Sequence, residues 1–192
     1  MPTIISIDPG LSTGFVIGCY TDETPLVLEK VYQVPNGVEG LINYTYRDFG
    51  PDYEDNDLVI QDPKDRGFAG LWSQPLDGNT ILVEKFTARG GGNQGFSYRT
   101  KDLEALRVEG LIMSWSVPLT WVSPPQQYFL GGKDKAAKKK AQHQWLKDHG
   151  YYISPKSVGC PDADDARSAT AHIISYLRRI KHKPTLDMFK GE

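Results

Sequence analysis

Four acidic residues stand where the sequence predicts structured elements to begin or end. Asp8 directly follows an apolar, β-branched stretch near the N terminus, and Glu84 ends a second stretch of the same kind. Asp162 and Asp165 open a long amphipathic pattern, and residues three apart on a helix lie on one face, whereas Asp164 points elsewhere. Because a buried carboxylate must be paired or bound to metal, these positions are candidates for a metal site.

Each acid also has an ordinary structural interpretation. Asp8 precedes a Pro-Gly pair and could simply cap that turn. Asp162 and Asp165 could simply complement the positive end of a helix dipole. Taken together the acids favour chemistry, because carboxylate oxygens suit Mg²⁺ or Mn²⁺ and suit zinc poorly. Four carboxylates on adjacent elements can hold two such ions about 3.5–4 Å apart, which supports in-line displacement at a phosphodiester.

The elements that must position these acids follow from hydrophobic periodicity. β-Branched apolar stretches predict strands, and apolar residues at helical spacing predict helices. The predicted strands are Thr3–Ile7, Gly14–Tyr20, Pro25–Val34, Thr80–Phe86 and Leu119–Ser123, and the predicted helices are Val38–Phe49, Lys101–Ser116, Asp134–His149 and one that starts at Asp162. This succession of strands and helices indicates one α/β domain.

The chain length of 192 residues is enough for one domain with a substantial core. We expect a single nuclease domain over residues 1–181. An insertion is expected at residues 50–79, a loop at Tyr151–Pro161, and a loose tail at residues 182–192.

Three stretches resemble the acidic motifs of the RuvC family of Holliday junction resolvases. They are IDPGLSTG at Ile7–Gly14, LVEKF at Leu82–Phe86 and DADDARSATAH at Asp162–His172. In that family the acids fall in the same order, as Asp in the first strand, Glu in the fourth strand and Asp-x-x-Asp opening the last helix. The resemblance covers most of the chain, and the ordered set is more specific than any one motif.

The resemblance implies an RNase H-like fold, with a five-stranded mixed sheet in the order 3-2-1-4-5 and helices on both faces. It implies that Asp8, Glu84, Asp162 and Asp165 are the catalytic residues and the ligands of two Mg²⁺ ions, for which Mn²⁺ can substitute. It also implies a homodimer that makes paired nicks in four-way DNA junctions. The insertion is longer than the bacterial pattern, which suits a divergent, phage-type and phage-encoded member.

Basic residues form the candidate DNA-binding surface. A lysine-rich stretch resembles the family's basic DNA track in position, and its members are Lys133, Lys135, Lys138, Lys139 and Lys140. Lysine runs are usually only a solvated face of a helix. Beside a predicted phosphodiesterase site we favour phosphate binding, which positions DNA without reading its sequence.

Aromatic residues near a glycine-rich loop are candidates for opening a junction. The bacterial family has an aromatic residue three positions after the Glu, where this chain has a threonine. We therefore assign DNA-binding roles to Phe96 and Tyr98, beyond the loop, and to Arg89 within it. His143 and His172 are expected to be structural rather than metal ligands.

Composition and missing motifs exclude several other classes of protein. No apolar run approaches the length that spans a bilayer, and no N-terminal signal pattern is present, so we expect a cytoplasmic protein without a membrane partner. The glycine-rich loops lack the Gly-Lys-Ser/Thr of a P-loop. Three alternatives stay open: an RNase H-type nuclease, a flap-type nuclease with the same acids, and a non-catalytic junction-binding module.

Overall fold

A computed structural model describes residues 2–46, 80–86, 100–114, 118–123 and 129–190. The predicted insertion at 50–79 lies outside these residues, as do Arg89, Phe96 and Tyr98. Within the described residues, no helix combines the length and apolar character needed to cross a membrane.

Five strands form one mixed sheet in the order β3-β2-β1-β4-β5, which confirms the predicted order. They are β1 Thr3–Asp8, β2 Thr13–Cys19, β3 Val27–Val34, β4 Thr80–Glu84 and β5 Thr120–Val122. β1 to β3 form an antiparallel meander, whereas β4 runs parallel to both β1 and β5. The two strands that end in an acid, β1 and β4, are therefore parallel neighbours and end at the same edge of the sheet.

Helices cover both faces of this sheet. They are α1 Gly37–Tyr46, α2 Thr100–Met113, α3 Lys135–Asp148, α4 Pro155–Val158, α5 Asp164–Arg179 and α6 Lys183–Asp187. The side chain of Asp134 caps α3 by accepting a hydrogen bond from the amide of Ala137, as the sequence predicts.

The strand residues alternate between two apolar layers. Ile4, Val16 and Leu82 face one layer, which contains the buried residues of α3 and α5. Ile5, Phe15 and other alternate residues face the second layer, which contains residues of α1 and α2. Because successive side chains of a strand point to opposite faces, Asp8 and Glu84 fall on the α5 side.

Two predicted irregular segments contain helices instead. The predicted loop at 151–161 holds α4, which Ser154 caps by accepting from the amide of Ser157 and which ends at Gly159 with a φ of 66°. The predicted loose tail holds α6, so that prediction is wrong for residues 183–187. His182 and Thr185 are buried there, and His182 hydrogen bonds to the carbonyl of Thr21. Amphipathic spacing is hard to recognise in segments this short, which is why the sequence did not reveal them.

Candidate active site

The candidate site is built on a row of three residues that crosses adjacent strands. Asp8 in β1 lies opposite Gly14 in β2, and Gly14 lies opposite Gln33 in β3. Directly opposite residues share a face of a sheet. A Cβ atom at Gly14 would lie 2.2 Å from the carbonyl carbon of Asp165, so only glycine allows this approach. The first turn of α5 therefore rests on Gly14, with Asp8 and Gln33 on either side.

Asp8 is the most strongly perturbed acid of the site. Burial raises its pKa well above the usual value, and repulsion from Glu84 and then from Asp165 raises it further. Its carboxyl group also hydrogen bonds to Ser168 on α5 and to Glu84. A contact between two carboxyl groups requires a shared proton or a cation, because two like charges so close repel each other.

Glu84 ends β4 and meets α5 through a histidine. Its Oε2 lies 2.6 Å from Nε2 of His172, whose side chain has no solvent exposure, whereas 15% of the Glu84 side chain is exposed. On its other side Glu84 contacts Asp8. The Glu84 carboxylate is therefore held between Asp8 on β1 and the His172 ring on α5.

Asp165 is held by groups from the meander. Nε2 of Gln33 donates to Oδ2 of Asp165 at 2.7 Å and to Oγ of Ser12 at 2.6 Å, while the side-chain oxygen Oε1 of Gln33 accepts from the backbone amide of Ala166 at 2.9 Å. Burial raises the pKa of Asp165 to about 6, against the hydrogen bonds from Gln33 and Ser12. Gln33 therefore fixes both the start of α5 and the direction of its acid.

The position of Asp162 corrects one sequence expectation. The helix begins at Asp164, so Asp162 and Asp165 are not a pair on one helical face. Asp162 is exposed, and its Oδ1 accepts the amide of Asp164 at 3.3 Å. Its charge is nevertheless close enough to help raise the pKa of Asp165. In this structure the hydrogen bond of Asp162 is therefore to the start of α5, as the helix-dipole interpretation expects.

Asp164 points away from the other acids, as predicted. Its carboxylate accepts from Nζ of Lys139 at 2.7 Å and from a guanidinium nitrogen of Arg167 at 2.8 Å. Burial raises the pKa of Asp164, but these two cations outweigh burial and leave the pKa below its usual value. The contact also places the lysine-bearing half of α3 beside the first turn of α5.

The other predicted DNA-binding lysines are accessible. Lys133, Lys135 and Lys140 are exposed, and Lys138 is partly buried like Lys139. Of this set, Lys139 is the member with a described ion pair, which occupies its charge. The lysine surface, defined here as these five residues, therefore adjoins the acids without pairing with Asp8, Glu84 or Asp165 in the described structure.

The sequence does not assign two helix residues to the site: it gives no role to Ser168, and His172 is expected to be structural. Ser168 and His172 follow Asp165 by three and seven residues, which is one and two turns of α5. The three side chains therefore share one face, on which Asp165 contacts Gln33, Ser168 contacts Asp8 and His172 contacts Glu84. Helical spacing from the acid was the signal that could have found them.

Gln33 and Glu109 also lie at the site, but the sequence pattern marks them less clearly than Ser168 and His172. Gln33 is buried at the end of β3, and only the strand register aligns it with Asp8. Glu109 on α2 accepts a hydrogen bond from the backbone amide of Phe86. Burial raises the pKa of Glu109 and outweighs the opposing effects of that hydrogen bond and of Lys85, while repulsion from Glu84 adds a smaller increase. Neither position could have been found from spacing alone.

The acids fit a divalent cation by their chemistry, although they contact other groups in this structure. Among the residues described, no three His, Cys, Asp or Glu side chains are arranged to hold a metal ion. Asp8 nevertheless lies close enough to both Glu84 and Asp165 to be repelled by them, and no Lys or Arg side chain is among the described contacts of these three acids. A divalent cation would remove this repulsion, and side-chain rotation would bring the oxygens onto it.

Comparison with known proteins finds similarity in the fold. No family model matches the sequence, and no curated protein matches it. The structure of Thermus thermophilus RuvC is similar, with a TM-score of 0.50 and 18% identity over 92% of this chain and 96% of that chain. The fold is RNase H-like. Fowlpox virus resolvase in complex with Holliday junction DNA is less similar, with a TM-score of 0.49 and 13% identity over 93% of this chain and 98% of that chain.

Proposed function

We propose that this chain is a metal-dependent endonuclease that cleaves branched DNA, with the four-way Holliday junction as its substrate. The observation that carries the proposal is the convergence of Asp8, Glu84 and Asp165. They come from β1, β4 and α5, and they meet closely enough that both partners raise the pKa of Asp8. Such mutual repulsion costs stability, so its presence at one edge of an RNase H-like sheet favours a function that uses cations.

The proposed ligands of two Mg²⁺ ions, or of Mn²⁺ in their place, are Asp8, Glu84, Asp162 and Asp165. When bound, such ions activate a water molecule for attack on phosphorus and stabilise the leaving 3′ oxygen. Asp8 contacts Glu84 and is repelled by Asp165, so a cation held by either of these neighbours would also be held by Asp8. Asp162 is exposed beside Asp165 and would complete the site from the solvent side.

The lysine surface is the proposed phosphate contact. The ion pair between Lys139 and Asp164 places α3 next to the acids, so DNA bound along α3 would reach them. We assign most of the phosphate binding to the other lysines, because Lys139 already has a partner. DNA-binding roles for Arg89, Phe96 and Tyr98 are also part of the proposal, with the two aromatic residues as candidates for opening the junction.

A homodimer is part of the same proposal, within a single nuclease domain over residues 1–181. Two symmetric nicks need two active sites, and the described part of the chain brings together one set of acids. α2 carries Leu103, Leu106 and Met113 with exposed fractions of 46%, 40% and 64%. We place the interface on this helix, since a closed two-fold contact is the commonest oligomer and would cover these side chains.

Cleavage as a function of Mg²⁺ concentration tests the proposal on junction, flap, duplex and RNA–DNA hybrid substrates. We expect paired nicks in the junction, lost in each of four variants that keep junction binding: Asp8→Asn, Glu84→Gln, Asp162→Asn and Asp165→Asn. The matched control is Asp164→Asn, which removes a neighbouring carboxylate that points away from the site and should keep cleavage.

Each of the other possible results would favour one of the three alternative functions. Preference for the hybrid would favour an RNase H-type nuclease, which recognises the 2′-OH. Single nicks in the flap substrate would favour a flap-type nuclease. Junction binding without cleavage at any Mg²⁺ concentration would identify a non-catalytic binding module.

A further inference from the structure

His172 is a buried polar residue in the apolar stripe of α5. Its neighbours on either side, Ala171 and Ile173, have no solvent exposure, and His172 itself is 1% exposed. A polar ring in such a place loses its hydration and must recover that cost through a specific contact. The contact is the 2.6 Å hydrogen bond between its Nε2 and Oε2 of Glu84.

The direction of this hydrogen bond follows from the partner. A carboxylate only accepts, so Nε2 must carry the ring proton and donate. Nδ1 is buried and has no hydrogen-bond partner in the described structure, which suits a bare acceptor better than a second N–H. The ring therefore has one polar contact, and that contact is directed at a proposed metal ligand.

Glu84 depends on such a contact for its orientation. It is the last residue of β4, and its side chain has three rotatable bonds, so the backbone alone leaves the carboxylate several positions. His172 comes from a different element, and its backbone is held within a regular helix. A donor fixed in this way selects which oxygen Glu84 presents toward Asp8.

We propose that His172 is a positioning residue, which orients the Glu84 carboxylate for cation binding without contacting cation or DNA. The inference deepens the proposed function and rests on it. Partners that hold metal ligands in this way typically contribute about 10- to 100-fold in metal affinity or activity. Sequence reasoning treated His172 as merely structural, and this proposal gives it a separate, measurable role.

Three substitutions separate positioning from packing. His172→Gln can place an amide nitrogen where Nε2 lies and keep the donor. His172→Asn places its amide nearer the Nδ1 position and cannot reach Glu84. His172→Ala removes both the ring and the donor. Calorimetric titration of the full chain with Mn²⁺, without DNA, should show weaker binding by about 10- to 100-fold for His172→Asn and His172→Ala. His172→Gln should stay near the wild-type affinity.

His182→Ala is the matched control. His182 is also buried, and it hydrogen bonds to Thr185 and to the Thr21 carbonyl, not to a proposed ligand. Its removal should lower the free energy of unfolding but leave Mn²⁺ affinity unchanged. Ring nitrogen chemical shifts add a readout that needs no metal, and they should show the His172 proton on Nε2.

The outcomes distinguish this inference from the proposed function. A wild-type chain that neither binds Mn²⁺ nor cleaves DNA would overturn both. A wild-type chain that does both, with His172→Asn equal to His172→Gln in Mn²⁺ affinity, would overturn the inference alone. A His172 proton found on Nδ1 would also overturn it, because Nε2 could not then donate to Glu84. The comparison of Asn with Gln remains decisive even if His172→Ala fails to fold.

Discussion

Replacing Gly14 by alanine tests how α5 is positioned on the sheet. The added Cβ would lie 2.2 Å from the carbonyl carbon and oxygen of Asp165 and 2.5 Å from the amide nitrogen of Ala166. These neighbours are backbone atoms in the first turn of a helix, so no side chain can rotate away. Ordinary contact begins at 3.4 Å, and α5 and β2 must therefore separate by on the order of 1 Å.

The cost can be estimated from this separation. Overpacking of this kind typically destabilises by about 1–3 kcal/mol. Alanine also restricts the unfolded chain, which offsets about 0.4–1 kcal/mol. We expect the free energy of unfolding to fall by about 1–2 kcal/mol. Asp165 moves with the helix, and a misplacement of about 1 Å at a reacting centre can reduce the rate about 100-fold.

Urea unfolding and single-turnover cleavage of junction DNA measure the two effects. The matched control is Gly110→Ala, a glycine-to-alanine change inside α2, where an added Cβ has no heavy atom within 4 Å. That control should raise the free energy of unfolding by about 0.5–1 kcal/mol, because glycine is the poorer helix former. Gly110 lies on the same face of α2 as Leu103, Leu106 and Met113 of the proposed interface, so this variant is the control for the urea measurement only.

An unchanged urea midpoint for Gly14→Ala would refute the close approach of α5 to β2. Loss of stability with full cleavage would instead show that α5 can retreat without displacing Asp165. In that case the row of Asp8, Gly14 and Gln33 would support the fold and not the site.

Three further predictions concern charge and assembly. Burial raises the pKa of Asp165 to about 6. Without divalent ions, the contribution of Asp165 to the free energy of unfolding is therefore complete below pH about 4. It falls by on the order of 2–3 kcal/mol as the pH rises through 6. Urea unfolding of Asp165→Asn should lack this loss, and an identical pH profile would contradict the shift. Lys140→Gln should lower the log–log salt slope of junction binding by about one unit, and Lys139→Gln by less, since Lys139 is paired with Asp164; equal slopes would contradict that ranking. Wild-type protein should sediment as a dimer at micromolar concentration and Leu106→Glu as a monomer, whereas a monomeric wild type would argue against the α2 interface.

The sequence by itself determined the framework of this protein. β-Branched stretches located the strands, and the sequence placed Asp8 and Glu84 at the ends of two of them. The sequence also located the cap of α3 at Asp134 and the amphipathic stripe of α5. These features depend on contacts between residues that are near in the chain, so local pattern is sufficient to predict them.

Tertiary structure decided how the acids are held. Gln33 reaches Asp165 across 132 residues of chain, and His172 reaches Glu84 across 88. Strand register and the placement of α5 on Gly14 bring these pairs together. The same packing sets where α5 begins, and it leaves Asp162 outside the helix, although spacing predicted a helical pair. Periodicity shows which face a residue occupies, but only the packing of separate elements selects its partner on that face.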